Sequence, residues 1–265
     1  ADPGYPCNRH FLRLVEGVAQ LVPVGPDDGF QLNAANVSQY WQPHTVGAMV
    51  ASPANPTGGV LSREALRELS KAVRKKSGHL IVDEIYHGLG YGVETPSVLE
   101  VDNDAFVINS FSKYFGMTGW RLGWLVAPAD AVPELEKLAQ NLFISMSTMA
   151  QYAALAGFEP ETRAILNERR DIFAKRRDYL LPELQRLGFV VPQHPDGAFY
   201  IYADISKFSD SSQQFCMELL EQHGLAITPG ADFGRNRPQQ YVRFSYTTGM
   251  DRIEEAVARL DRVLG

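Results

Sequence analysis

Between Asn109 and Gly123 the chain reads Asn-Ser-Phe-Ser-Lys-Tyr-Phe-Gly-Met-Thr-Gly-Trp-Arg-Leu-Gly. Ser110, Ser112 and Arg121 are residue types that hold a phosphate, through hydroxyl donors and a charge-assisted guanidinium fork. Lys113 lies among them, where its amine would reach whatever that phosphate anchors. An amine beside an anchored phosphate is suited to a Schiff base with pyridoxal phosphate. The same composition also describes a solvated Ser/Lys/Gly turn between two strands. The company this stretch keeps decides between the two.

Stepping outward, the stretch follows Ala105-Phe106-Val107-Ile108 and runs into Leu122-Gly123-Trp124-Leu125-Val126-Ala127, two short apolar runs that predict strands. Val46 to Ala51 predicts another, followed by Ser52-Pro53-Ala54-Asn55-Pro56-Thr57-Gly58-Gly59, a loop made rigid by its prolines. Ser62 is a fitting N-cap for a helix through Lys76 that Gly78 closes, and His79 to Val82 is a strand delivering Asp83-Glu84-Ile85-Tyr86. Strand, loop, helix, strand alternation implies a mostly parallel α/β sheet. Parallel strands point one way, so Asn55, Asp83 with Tyr86, and Ser110 to Lys113 should share one sheet edge, where ligands of such sheets collect.

Beyond this, Glu161 to Leu187 predicts a long charged helix ended by Gly188. Its Arg and Lys residues interleave with Glu161, Glu168, Asp171, Asp178 and Glu183, which favours a solvated, salt-bridged face over a nucleic-acid face. A strand pair (Phe189 to Val191, Ala198 to Asp204), a helix (Ser211 to His223), a strand (Leu225 to Thr228), a strand (Tyr241 to Tyr246) and an amphipathic helix from Asp251 follow. This reads as a smaller α+β unit joined by the long helix.

The 265 residues suffice for a sizeable core and two domains. A net charge of −6 (25 basic, 31 acidic) argues against a general nucleic-acid or anionic-membrane surface. No apolar run reaches the length of a membrane span, and no basic-then-apolar leader opens the chain. Cys7 and Cys216 are too few for a disulfide scaffold or thiolate metal site, so a reducing, cytoplasmic setting is expected. The six histidines show no paired metal spacing, and His87 beside Asp83-Glu84 reads as a supporting or solvent-facing residue rather than a zinc ligand. Nucleotide phosphate loops, dinucleotide fingerprints and nucleophile elbows are lacking.

Asn55-Pro56-Thr57-Gly58, Asp83-Glu84-Ile85-Tyr86, Ser110-x-Ser112-Lys113 and Gly119-x-Arg121-x-Gly123, in this order and approximate spacing, resemble the signature set of class I/II pyridoxal-phosphate-dependent aminotransferases. Arg243, in Val-Arg-Phe-Ser, stands where that family keeps a C-terminal arginine. The likeness runs over nearly all of the chain and implies the type I fold. Residues 1–160 would then be the C-terminal part of the large cofactor-binding domain, and 161–265 the connecting helix and small α+β domain.

The resemblance also implies roles. Lys113 would attach pyridoxal 5′-phosphate covalently and then move protons at the substrate Cα. Asp83 would pair with the pyridine nitrogen, and Asn55 and Tyr86 would hydrogen-bond the phenolic oxygen. Ser110, Ser112 and Arg121 would hold the phosphate, and Tyr5 would stack on the ring. Arg243 would bind the substrate α-carboxylate through a bidentate fork, with Asn55 beside it. Each has a blander reading, a capping aspartate for Asp83, a packing aromatic for Tyr86, a turn residue for Tyr5. Their joint order outweighs those readings.

The expected reaction is transfer of an amino group from an L-amino acid to a 2-oxo acid, by a homodimer. A carbon–sulfur β-lyase, or an aminotransferase-like effector domain of a transcription regulator, would retain the same residues. Family members carry an N-terminal portion before the Pro-Gly-Tyr-Pro region that adds phosphate contacts. The sequence opens without an initiator methionine on Ala1-Asp2-Pro3-Gly4-Tyr5-Pro6, so a C-terminal part of a longer aminotransferase is expected.

Overall fold

The computed structural model describes residues 1–265. In chain order its elements are α1 (Pro6–Leu14), α2 (Ala34–Tyr40), β1 (Gly47–Ala51), α3 (Arg63–Arg74), β2 (His79–Asp83), β3 (Phe106–Ser110), β4 (Gly123–Val126), α4 (Val132–Leu142), α5 (Thr148–Leu155), α6 (Pro160–Leu187), β5 (Tyr200–Asp204), α7 (Ser212–His223), β6 (Thr228–Pro229), β7 (Tyr241–Ser245) and α8 (Met250–Leu264). They form two compact units. One comprises Asn33–Pro53 and Val60–Asp171; the other comprises Ala1–Leu32, Ala54–Gly59 and Ile172–Gly265.

The first unit holds a sheet of order β1-β2-β3-β4. β1, β2 and β3 run parallel, with Ala51 beside Asp83 and Asp83 beside Ile108, while β4 returns antiparallel with Gly123 beside Ser110. The sheet therefore keeps the expected mostly parallel character. The ladder continues past the strand ends. Ser52 N–H donates to Asp83 O (3.0 Å) and Glu84 N–H donates to Ile108 O (2.8 Å). Three loops are thereby stitched together where they leave the strands.

Helix α3 shows why this sheet is held in place. Ser62 Oγ caps it by accepting from Ala65 N–H, and Leu66, Leu69, Ser70 and Val73 fall on one face at helical spacing. Leu66, Leu69 and Val73 are fully buried, each such burial stabilising by about 1.5–3 kcal/mol. The helix also fixes the approach to β3, because Ser70 Oγ donates to the buried Asp102 (2.5 Å) and Arg74 pairs with both Asp102 and Asp104. Burial would raise the Asp102 carboxyl, but the hydrogen bonds from Arg74 and Ser70 outweigh it and leave its pKa lowered. Gly78 is glycine for a packing reason, since a Cβ there would collide with the Trp41 ring.

In the second unit β7 lies between β5 and β6, antiparallel to both, with Arg243 opposite Tyr202 on one side and Thr228 on the other. Tyr202, Tyr241, Phe30 and Phe233 form an aromatic core here, Tyr202 and Tyr241 stacked at 4.9 Å. Helix α6 begins in the first unit and continues into the second, and Gly188, at φ 103°, ends it as expected.

The strand expected from Ala198 begins only at Tyr200, Ala198 being left-handed at φ 60°, and two other expected strands shrink further. Phe189 to Val191 reduces to a single bridge between Val190 and Asp204, because Pro192 has no N–H to extend the ladder. Leu225 to Thr228 yields only Thr228–Pro229, since Leu225 N–H is used to bond Leu219 O and close α7 behind the left-handed Gly224. Helices α1, α2, α4 and α5 were not anticipated from the sequence; α2 is closed by a reciprocal box between Asn33 and Asn36. No helix is long and apolar enough to cross a membrane.

Candidate active site

Of the residues singled out in the sequence, Asp83, Tyr86, Ser110, Ser112, Lys113 and Arg121 belong to the first unit. Asp83 ends β2, and its Oδ1 accepts from Ile85 N–H at 3.0 Å, which turns the chain off the strand. Burial pushes its carboxyl pKa upward, against the Ile85 N–H and the positive charge of Lys113. Tyr86 is buried, and the Lys113 Nζ stands 5.6 Å from its ring centroid. Glu84, also buried, turns away to accept from Ser97 Oγ (3.0 Å) and Val98 N–H (2.8 Å), so the two adjacent carboxylates serve different ends.

Ser110 and Ser112 form a compact pair after β3. Ser110 Oγ stands 2.9 Å from Ser112 Oγ, accepts from Ser112 N–H at 3.0 Å and donates to Leu122 O at 3.2 Å. Thr118 Oγ1 donates to Ser112 O at 2.6 Å, and Arg121 Nη1 donates to Thr118 O at 2.8 Å. Arg121 thus reaches the serine pair through one residue. Its backbone is left-handed (φ 53°, ψ 52°), a conformation costing about 1–2 kcal/mol in a residue with a Cβ. Such strain at an exposed arginine is a feature of functional loops. Gly123 permits the close approach of β4, because a Cβ there would fall 2.7 Å from Asn109 O.

Asn55, Arg243 and Tyr5 belong to the second unit. Asn55 is buried in a tight loop in which Ala54 N–H bonds Gly59 O and Gly58, at φ 73°, donates to Ala54 O. Its Oδ1 accepts from Arg243 Nη1 at 2.9 Å, and Thr228 Oγ1 accepts from Arg243 Nη2 at 3.2 Å. The guanidinium carbon lies 4.2 Å from the Tyr200 ring centroid and 4.8 Å from that of Phe233. Tyr5 stands at the start of α1 with 41% of its surface exposed. Thr228 and Tyr200 escape a reading of the sequence because strand register, not motif spacing, brings them to Arg243, and Phe233 reaches it from the turn after β6.

His87 packs back into the first unit, its Nδ1 3.4 Å from Glu84 Oε2. Burial drives its pKa down to about 4, although the Ser52 carbonyl and Glu100 act to raise it. Side chains of His, Cys, Asp and Glu are nowhere gathered in a group of three that could hold a metal ion.

The fold is the type I fold of pyridoxal-phosphate-dependent transferases. An aminotransferase crystal structure from Mycobacterium tuberculosis superposes with a TM-score of 0.95 at 39% identity, covering 99% of this chain and 68% of that one. Residues 1–260 match the family model "Aminotransferase class I and II", and the chain belongs to that family. It is 40% identical over 262 residues to the valine–pyruvate aminotransferase of Mycobacterium tuberculosis, covering 98% of this chain and 67% of that protein. Identity to the (5-formylfuran-3-yl)methyl phosphate transaminase of Methanocaldococcus jannaschii is 33% over 266 residues, covering 99% and 67%. The chain therefore spans about two thirds of the length of these relatives.

Proposed function

We propose that the chain holds pyridoxal 5′-phosphate through Lys113 and transfers an amino group from an L-amino acid to a 2-oxo acid. The bound cofactor supplies an electron-accepting ring and carries the amino group between the two half-reactions. Lys113 is the covalent attachment point and afterwards the acid and base for the proton at the substrate Cα. Asp83 suits the pyridine nitrogen, since a carboxyl with a burial-raised pKa is relieved by an N–H⁺ partner. Tyr86 and Asn55 serve the phenolic oxygen. Asn55 Oδ1 already accepts from Arg243, so the group it offers there is its NH₂. Ser110, Ser112 and Arg121 supply hydroxyl and guanidinium donors for the phosphate. Tyr5 covers the ring. The Arg243 fork takes the α-carboxylate of the substrate.

One observation carries this reading. The Lys113 amine and the Asp83 carboxylate come from neighbouring parallel strands whose ends are stitched by the Glu84 N–H to Ile108 O bond, with Tyr86 at 5.6 Å from the amine. A cation, a buried carboxylate and a phenol gathered at one sheet edge support a site for a pyridine ring with a phenolic oxygen and an aldehyde carbon. The test is borohydride reduction of the protein with added pyridoxal phosphate, followed by peptide mass mapping. A trapped adduct on Lys113 is expected, and its loss in Lys113→Ala. An adduct persisting in that variant sinks the assignment. The proposal extends to a homodimer in a cytoplasmic setting, which light scattering and fractionation would check.

A further inference from the structure

Lys113 is followed by an aromatic residue that the proposed chemistry does not use. The Tyr114 ring is buried against Gly88, two residues beyond Tyr86. A Cβ on Gly88 would lie 2.5 Å from Tyr114 Cγ and 2.6 Å from Cδ2, and Gly88 itself is left-handed at φ 88°. Only glycine serves this contact without strain. At its other end Tyr114 Oη donates to Asn167 Oδ1 of α6 at 2.8 Å, and the Arg163 guanidinium lies 5.9 Å from the ring. On either side of Lys113, Phe111 and Phe115 pack their rings at 4.7 Å into a cluster with Leu122, Ala150 and Ala154.

We propose that Tyr114 is a positioning residue for Lys113, with Gly88 and Asn167 as the two jaws that hold it. The inference rests on the reading of Lys113 as the attachment point. A buried tyrosine hydroxyl needs a partner in any core, but a left-handed glycine cut to fit its ring is a further constraint. Gly88 follows the turn that bears Asp83 and Tyr86, and Asn167 lies on α6. The ring fixes the backbone of Lys113 against the turn that bears Asp83 and Tyr86. The lysine can change its bonding during a reaction while its Cα stays in register with that turn. Displacing an acid–base group by about 1 Å can cost about a hundred-fold in rate, so a lysine with a long flexible stem gains most from a fixed origin.

The test compares Tyr114→Phe, Asn167→Ala, their double variant and Tyr114→Leu in the full chain carrying pyridoxal phosphate. Three quantities are read: the pH midpoint of the visible absorption change of the lysine-bound cofactor, kcat against KM, and hydrogen exchange of residues 110–116 in the cofactor-free protein. Tyr114→Phe and Asn167→Ala should each lower kcat about five-fold, the size of one neutral hydrogen bond, with KM nearly unchanged. The double variant should lose no more than the larger single, because both remove one bond. Tyr114→Leu should displace the pH midpoint and speed exchange in 110–116, while exchange in α3 stays as in the parent. Unchanged midpoint and kcat in every variant, with only a lower melting temperature, would make Tyr114 a packing residue and overturn the proposal. A covalent adduct surviving in Lys113→Ala is a separate result, and it overturns the attachment reading on which the proposal stands.

Discussion

The guanidinium of Arg243 lies over the Tyr200 ring at 4.2 Å, two residues along the neighbouring strand from Tyr202, which it directly opposes. Phe233 covers the guanidinium at 4.8 Å, so the fork is held by two ring faces as well as by Asn55 and Thr228. Cation–π contacts contribute about 0.5–2 kcal/mol each, more when desolvated. Tyr200→Leu or Phe233→Leu should therefore raise KM for the amino donor by between about two- and thirty-fold. kcat should change little, because the carboxylate is held alike in ground and transition states. Steady-state kinetics on each variant checks this, and a fall in kcat at constant KM would contradict it. Arg243→Lys should lose more than either, since an ammonium cannot form the fork.

Ser110 and Ser112 share one hydrogen-bonded cluster, in which the Ser110 hydroxyl is anchored to Leu122 O. Ser112→Ala should weaken pyridoxal phosphate binding by about ten- to 150-fold, in the range of one charge-assisted hydrogen bond. Removing Ser110 also frees the Ser112 N–H it accepts from, so Ser110→Ala should cost affinity and local order together. Cofactor titration by absorbance separates the two. Equal affinity in parent and Ser112→Ala would remove that serine from the phosphate site.

The motif residues at the sheet edge were legible because short apolar runs mark strand ends and parallel strands deliver their next residues to one edge. The placement of Asp83 and Lys113 at that edge needed only that argument, while the roles proposed for them lean on the family resemblance. The clamp on Arg243 was not legible, because Tyr200 and Thr228 reach it through antiparallel register, and register depends on pairings that no single strand encodes. The direction of β4 was hidden for the same reason. Helix α1 was hidden differently: Tyr5, at its N-cap, offers no side-chain cap to mark its start. Gly78 reads in the sequence as a helix stop, and Gly88 carries no signal there at all. Their causes, the rings of Trp41 and Tyr114, lie far away in sequence.

Asp83 sets a trade between stability and function. Its folded pKa is raised by burial, so the charged form is disfavoured by folding, and this cost is present at every pH above the unfolded pKa. At pH 7 the cofactor-free Asp83→Asn variant should be as stable as the parent or more so. Its kcat/KM should nevertheless fall by about 10²–10³, the scale of losing one preorganised electrostatic partner. Paired denaturant melts and kinetics test both halves. A destabilised apo variant would show that the carboxylate is held by folding contacts rather than kept for a ligand.

His87 gives the pH dependence its sign. Burial lowers its folded pKa to about 4 from an ordinary 6.5, despite the Ser52 carbonyl and Glu100, with Glu84 3.4 Å from Nδ1. Between those values the unfolded chain binds a proton that the folded chain refuses, so stability rises with pH across the window. A shift of about 2.5 units corresponds to about 3 kcal/mol, fully present above pH 6.5 and lost progressively as pH falls toward 4. Urea melts of the parent and His87→Gln at pH 4.5, 5.5 and 7 isolate this contribution from the carboxylates. The variant should be less stable than the parent at pH 7 and should close that gap by pH 4.5. A gap that stays constant with pH would mean that His87 is protonated alike in folded and unfolded chains, and that its burial does not exclude the charge.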